Sequence, residues 1–259
     1  MPIAETGFWG VPTATVDWCE TNYAHLSFVC EFFNSVSSLA MVLAGVLGWW
    51  LHRHVLERRL LGAFVLVAGV GVGSIAFHMT LRFKLQMLDE LPMLYLALLM
   101  VHLLVENRAE RRFGAGFPLA LVGYAVLSTY LSVFPRGELQ VALFRGCFTA
   151  LEFFALARVW LIHRRNREPR VRRLFHLGMS AYALALVLWL SDIRLCTTLN
   201  QTLPAMGIPN PQFHAWWHVL VSCGFYALLL VIAEDRLRTL GQTPRLHFTA
   251  GVIPSVKAS

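Results

Sequence analysis

The sequence predicts an all-α integral membrane protein, a bundle of seven transmembrane helices with the N-terminus exoplasmic and the C-terminus cytosolic. Three observations carry that expectation. Of the 259 residues, 57% are hydrophobic and 14% charged, at a mean hydropathy of +0.58, which excludes a water-soluble globule and a disordered chain. Seven apolar stretches, approximately 32–52, 60–79, 87–106, 115–134, 139–160, 172–192 and 213–233, are each long enough to cross a hydrocarbon layer of about 30 Å as a helix. Finally, the arginines alternate between one set of connections and the other.

The connection after the first stretch carries Arg53, Arg58 and Arg59, and the one after the third carries Arg108, Arg111 and Arg112. The connection after the fifth carries Arg164, Arg165, Arg167, Arg170, Arg172 and Arg173, and the C-terminal segment adds Arg236, Arg238, Arg245 and Lys257. The opposite set holds only Arg82, Lys84, Arg136 and Arg194. Positive charge marks the cytosolic side, which fixes the expected orientation.

The formal charge of +7 and the basic run His163 to Arg173 also fit a nucleic-acid patch, but a cytosolic loop between two spans has the same look. Nucleic acid is therefore not an expected partner; the membrane is. Residues 1–16 lack the basic start and compact apolar core of a cleavable signal, so the first span is expected to direct insertion. Backbone inside lipid must bond to itself, so helices are expected throughout and short strands are not indicated. With no internal repeat and no long linker, the organisation reads as an exoplasmic segment 1–31, a membrane domain 32–233 and a cytosolic tail 234–259.

Ionisable side chains in such spans are costly and point to function. His78 ends the second stretch, Asp89 and Glu90 begin the third, His214 and His218 begin the seventh, and Glu31 precedes the first, all at the exoplasmic end. His214 and His218, four residues apart in QFHAWWHVL, leave one helix face a turn apart, as two metal ligands would. Imidazoles so spaced also bond across a bundle or sit near headgroups. His78 at the same depth would complete the three-His set of a catalytic zinc, with a fourth position open to water.

Ser74, four residues before His78 in GVGSIAFHM, shares its face; the plain alternative is a hydroxyl bonded back to its own backbone. Asp89 could accept a proton from a metal-activated water, although it and Glu90 equally fit a helix N-cap or a first-turn charge. The oxygen donors Asp17, Glu20 and Asn22, with Glu31 close behind, could supply an oxygen shell for Ca²⁺, but their spacing is not that of an EF-hand and also fits a solvated acidic loop. Cys147 and Cys223 read as packing residues. Cys19 and Cys196 lie in exoplasmic segments and could form a disulfide, with Cys30 as a competing partner. Asn200-Gln201-Thr202 is a glycosylation triplet on the same side.

The segments VDWCETNY with EFFNSVS, GSIAFHMTLRFKLQMLDELPMLY, WLSDIRLC and QFHAWWHVL resemble the alkaline ceramidase family; FHMTL, QMLDELPM and HAWWH resemble its alkaline phytoceramidase-like branch. The resemblance runs from about Asp17 to the seventh stretch, while the 197–213 connection departs from it. It implies a calcium-supported, zinc-dependent intramembrane amidase that cleaves the N-acyl bond of ceramide drawn from the bilayer, in endoplasmic reticulum or Golgi membranes if the source is eukaryotic and in a plasma membrane if it is bacterial. Residue by residue, it implies His78, His214 and His218 as zinc ligands, with Ser74 and Asp89 beside the zinc water. It further implies Asp17, the Trp18 carbonyl, Glu20, Asn22 and Glu31 as a calcium site, and a Cys19–Cys196 disulfide. The competing readings are a seven-span receptor of the adiponectin-receptor type with a structural zinc, and a transporter using His and Asp as a proton relay.

Overall fold

The computed structural model describes residues 7–110, 112–249 and 251–258. Arg111 of the basic connections, residues 1–6 of the N-terminal segment and the C-terminal Ser259 lie outside the described residues. Nine helices occur among the described residues: α1 (Phe32–Ser37), α2 (Leu39–His52), α3 (Arg58–Thr80), α4 (Phe83–Val105), α5 (Gly116–Val133), α6 (Gly137–Arg165), α7 (Pro169–Arg194), the single turn α8 (Leu203–Ala205) and α9 (Phe213–Thr239). A π-helical turn, Thr198–Thr202, precedes α8. Seven helical units, with α1 and α2 counted as one broken span, are long and apolar enough to cross a membrane.

The spans agree with the hydropathy reading at their centres and differ at their ends. α4 starts at Phe83 with Arg82 as its N-cap, so Asp89 and Glu90 stand in its second turn and are neither caps nor first-turn charges. α9 runs on to Thr239, past the expected limit at 233. The first span is broken at Ser38, which turns the Ser37 and Ser38 hydroxyls inward towards α9 and α3.

α9 is the central helix, packed against α7, α2 and α6, and α5 is outermost, on α4 and α6. Leu228 to Ala233 of α9 are almost wholly enclosed and belong to one core with Phe64, Leu60 and Phe175. The outward faces are just as apolar: Leu119, Val122 and Val126 of α5 and Leu177, Leu184 and Val187 of α7 are exposed. A bundle that buries apolar residues inside and shows apolar residues outside is suited to a hydrocarbon surround.

Close helix contact sets the site's geometry. A Cβ on Gly73 would lie 1.9 Å from the Leu88 carbonyl oxygen and 2.8 Å from the Asp89 nitrogen, so only glycine lets α3 and α4 touch backbone to backbone at the residue that precedes Ser74. The α3–α4 turn passes through Leu81 in the left-handed region (φ 46°), and its carbonyl accepts the N–H groups of Thr13 and Ala14 at 3.0 Å each. The N-terminal segment is pinned further by Glu31 N–H on the His78 carbonyl (2.9 Å) and Cys30 N–H on that of Met79 (3.0 Å).

One expectation fails at the C-terminus. The segment after α9 is not a plain tail: β1 (Pro244–Thr249) and β2 (Ile253–Ala258) form an antiparallel hairpin. Leu246 and Val256 are buried in the main core, the Tyr226 hydroxyl donates to the Pro254 carbonyl (2.8 Å), and Val256 N–H donates to His52 Nε2 (3.0 Å). Alternating exposure along β1 is the strand signal, carried by too few residues to stand out beside the apolar runs.

Gly73→Val should wedge α3 from α4. The expected outcome is a loss of about 1–3 kcal/mol of stability, read as a lowered thermal midpoint of the detergent-solubilised protein. An unchanged midpoint would mean that α3 and α4 are not packed as described.

Candidate metal centre

Three helix ends and the N-terminal segment converge on one buried point. His78, from the last turn of α3, meets His214 and His218 from the first turns of α9, with ring centroids 4.7–5.2 Å apart. One potential ligand nitrogen from each lies within 4.8 Å of the other two, and all three residues are buried. This is a cluster able to hold a metal ion.

Each imidazole is aimed from behind. His78 Nδ1 is bonded to the fully buried Glu31 carboxylate, which leaves His78 Nε2 facing the cluster. His218 Nδ1 lies 2.8 Å from Ser37 Oγ. The His214 ring stacks on the Trp18 indole at 3.6 Å, and its backbone N–H donates to Asp192 (3.3 Å). A hydrogen-bonded second nitrogen fixes the tautomer and orientation of a ligating histidine. His78 Nε2 and His214 Nδ1 are buried with no hydrogen-bond partner among the described residues. Unpaired nitrogens of that kind are costly, and a cation taking their lone pairs would satisfy both, so this donor set fits a metal.

Ser74 is fully enclosed, its Oγ 2.9 Å from Ser38 Oγ and 3.4 Å from His218 Nε2. It is thus not merely bonded back to its own helix. Asp89 lines a cavity of about 320 Å³ together with His214, Trp18, Trp189, Glu152 and Phe225. The wall is mostly apolar. Glu90, the other carboxylate considered at this place, is satisfied otherwise: it accepts from the side-chain amides of Gln86 and Gln140 at 2.8 Å each. Those glutamines also hold Thr15 of the N-terminal segment, so Glu90, which lines the same cavity, has both oxygens engaged in a structural network.

The oxygen-rich N-terminal residues also gather. Asn22 Nδ2 donates to Asp17 (3.4 Å), and Trp18 N–H donates to Glu31 (3.0 Å). Glu20 accepts the N–H groups of Phe33 (2.6 Å) and Asn34 (2.8 Å), which tethers the segment to the start of α1. Burial, with a smaller push from the negative charge of Glu31, raises Asp17 to about 6 and Glu20 to about 7, and burial raises Glu31 to about 7. Mutually repelling, desolvated carboxylates are stabilised as anions by a divalent cation. The Asn22 Oδ1 is buried without a partner, and it too suits an oxygen-binding cation. The Trp18 ring packs against His214, one of the three clustered histidines.

Cys19 and Cys196 are joined by a disulfide, which ties the N-terminal segment to the end of α7. Cys30, the competing partner, is a buried free thiol that burial pushes up to about 12. The Asn200 side-chain amide donates to the Cys19 carbonyl (2.6 Å), and Asn210 joins it there at 3.2 Å, so the glycosylation triplet holds the 197–213 connection against the N-terminal segment.

The model of the family described as Ceramidase matches residues 10–257. The chain belongs to the ceramidase family. It is 33% identical to alkaline ceramidase 3 of Mus musculus over 258 residues, covering 96% of this chain and 94% of that one. It is 28% identical to the alkaline ceramidase of Arabidopsis thaliana, over 97% and 95% of the two chains, and 27% identical to an alkaline ceramidase of Saccharomyces cerevisiae, over 93% and 83%. Membership of this hydrolase family favours the enzyme over the receptor and transporter readings.

Four side chains of the site carry no assigned role in the sequence reading: Ser37, Ser38, Asp192 and Gln86. Ser37, Asp192 and Gln86 lie inside the motif segments and Ser38 directly follows one, but each acts on a residue far away in the chain. Asp192, for instance, accepts from both Cys19 N–H (3.2 Å) and His214 N–H. Spacing on one helix holds no trace of such a bridge.

Alkylation under denaturing, non-reducing conditions should label three thiols, Cys30, Cys147 and Cys223, and reduction should add two. Labelling of Cys19 without reductant, seen by mass spectrometry, would show the disulfide to be absent.

Proposed function

We propose that this chain is a zinc-dependent intramembrane ceramidase that hydrolyses the N-acyl bond of ceramides to a sphingoid base and a free fatty acid, with calcium in a supporting role. The observation that carries the reading is the buried three-histidine cluster opening onto an apolar cavity inside a ceramidase-family bundle. Three imidazoles and no thiolate suit zinc with one position left open.

His78, His214 and His218 would hold the zinc. Zinc in such a site acidifies water to a pKa near 7 and polarises a carbonyl oxygen. Asp89 takes a proton from water as the water oxygen bonds to the amide carbonyl carbon, and returns it to the nitrogen as the C–N bond breaks, so the amine leaves neutral. Ser74, held by Ser38 beside His218, donates a hydrogen bond to the carbonyl oxygen as it gains negative charge. The apolar walls receive the two hydrocarbon chains, and the lipid enters sideways from the bilayer.

Asp17, the Trp18 carbonyl, Glu20, Asn22 and Glu31 would hold calcium. Glu31 lies between the two sites, with one oxygen on Trp18 N–H and the other on His78 and Asn34. A cation bound there would fix the carboxylate that aims His78, which makes calcium structural or regulatory and not a reactant. We place the N-terminus on the exoplasmic side, from the arginine distribution, and a eukaryotic form in endoplasmic reticulum or Golgi membranes, from the family resemblance.

Purified protein at mildly alkaline pH should release fatty acid from ceramide and carry one zinc. His218→Ala should lose both zinc and activity. Asp89→Asn should keep the zinc and lose most of the activity. Ser74→Ala should slow turnover on the order of a hundredfold or more with zinc retained. Zinc-loaded wild type that cleaves neither ceramide nor phytoceramide would favour a structural zinc and the receptor reading.

Calcium removal by a selective chelator should lower both activity and thermal stability, and calcium should restore them in wild type but not in Asp17→Asn with Glu20→Gln. Equal responses in wild type and variant would place calcium's action elsewhere.

A further inference from the structure

The cavity has a second polar layer that the hydrolysis does not use. Glu152 of α6 is 7% exposed, and its one partner among the described residues is the Tyr182 hydroxyl of α7, which donates to Oε2 at 2.9 Å. Both residues line the cavity, between apolar neighbours such as Phe153, Leu156 and Phe225. A carboxyl group at mid-span is costly unless something is gained by it.

Its depth is fixed by α6 and α7 together. Arg145 over Trp189 (5.0 Å), with Trp189 beside Trp18 (6.3 Å) and Trp18 stacked on His214, defines the layer of the histidines. From Arg145 to Glu152 on α6 and from Trp189 to Tyr182 on α7 is seven residues each, or about 10 Å along the helix axes, and on α9 Phe225 is seven residues beyond His218 and eleven beyond His214. Tyr182 and Phe225 confirm the shared level by edge contact at 5.7 Å. The pair therefore stands two turns deeper than the scissile amide, where only the substrate's hydrocarbon chains reach.

Holding helices together does not require it. α7 is already seated on α9 through Gly178 and Gly224, where a Cβ on Gly224 would lie 3.1 Å from the Gly178 carbonyl and 3.2 Å from the Tyr182 nitrogen. α6 and α7 are likewise already joined at other levels, by His163 stacked on Phe175 (4.0 Å) and Arg145 over Trp189 (5.0 Å). With Oε2 engaged by Tyr182, Oε1 has no hydrogen bond among the described residues. A carboxyl and phenol pair in apolar surroundings offers a donor and an acceptor together, which a chain hydroxyl matches and a methylene does not.

We propose that Glu152 and Tyr182 form a specificity site for a hydroxyl group in the middle of one hydrocarbon chain of the substrate. This rests on the ceramidase reading above. The hydroxyl sits about 10 Å, or on the order of eight to ten chain carbons, from the amide. Plain chains still enter, but they leave the pair without a ligand partner, and an unpaired buried polar group is what a selective site uses to reject an analogue.

The test compares ceramides that differ only in a hydroxyl about eight to ten carbons from the amide, placed on the acyl or on the sphingoid chain, with full-length protein in detergent. Wild type should favour the hydroxylated form of one chain by about tenfold in kcat/KM, mainly through KM. Glu152→Leu should bring the ratio of the two substrates to one or below, and Tyr182→Phe should reduce it. The ratio is internal to each variant, so a general loss of activity does not imitate the effect. The same ratio in wild type and Glu152→Leu would overturn the proposal and leave the pair as an interhelical bond. Should no ceramide be cleaved, the function reading falls, and quenching of cavity tryptophan fluorescence by mid-chain hydroxystearic acid and by stearic acid decides the site separately. Tighter binding of the hydroxy acid in wild type, lost in Glu152→Leu, supports it; equal affinities overturn it.

Discussion

The Glu31 carboxylate is the contact on which the site depends. It is fully buried where the N-terminal segment meets α3, and it takes Trp18 N–H, the Asn34 side-chain amide and His78 Nδ1, while its own N–H donates to the His78 carbonyl. In a hydrocarbon surround an unshared carboxylate would be expensive, so these partners are not optional. Holding them forces the segment over the end of α3 and turns His78 towards α9. Everything else at that end, the disulfide to α7 and the Asp192 bridge included, closes the same seam.

Polar groups in this bundle are arranged by depth. At the end where α3 stops and α9 begins, histidines, serines and carboxylates are densely cross-linked, and Glu90 is fully occupied by Gln86 and Gln140. Two turns deeper, Glu152 and Tyr182 stand nearly alone in an apolar wall. The first layer resembles a reaction centre with its supports. The second can act only on what extends into it, the lipid's chains. The far end is closed by α9, His52 and the hairpin, whose Leu246 and Val256 join the core.

Close backbone approach also decides chemistry here. Ser74 and Asp89 belong to different helices, and glycine at position 73 lets the α3 backbone reach that of Leu88 and Asp89. The same device at Gly178 and Gly224 seats α7 on α9, which leaves α6 as the wall across the cavity. Small residues at crossings do in lipid what large apolar side chains do in water, because tight packing replaces the hydrophobic effect between helices.

The sequence by itself determined the spans and the histidine pair on α9. Both are local: hydropathy accumulates along one segment, and a separation of four places two side chains on one face. Quoted motifs also pointed to His78, Ser74 and Asp89 through a family resemblance. Tertiary structure alone decided that Glu90 is the carboxylate tied into a network, since the glutamines that occupy it come from α4 and α6 together. It alone placed Trp18 against His214 and Glu152 against Tyr182, and it alone showed a strand pair where a tail was expected. Each of these joins residues distant in the chain, and a contact between separate segments leaves no periodic mark on either.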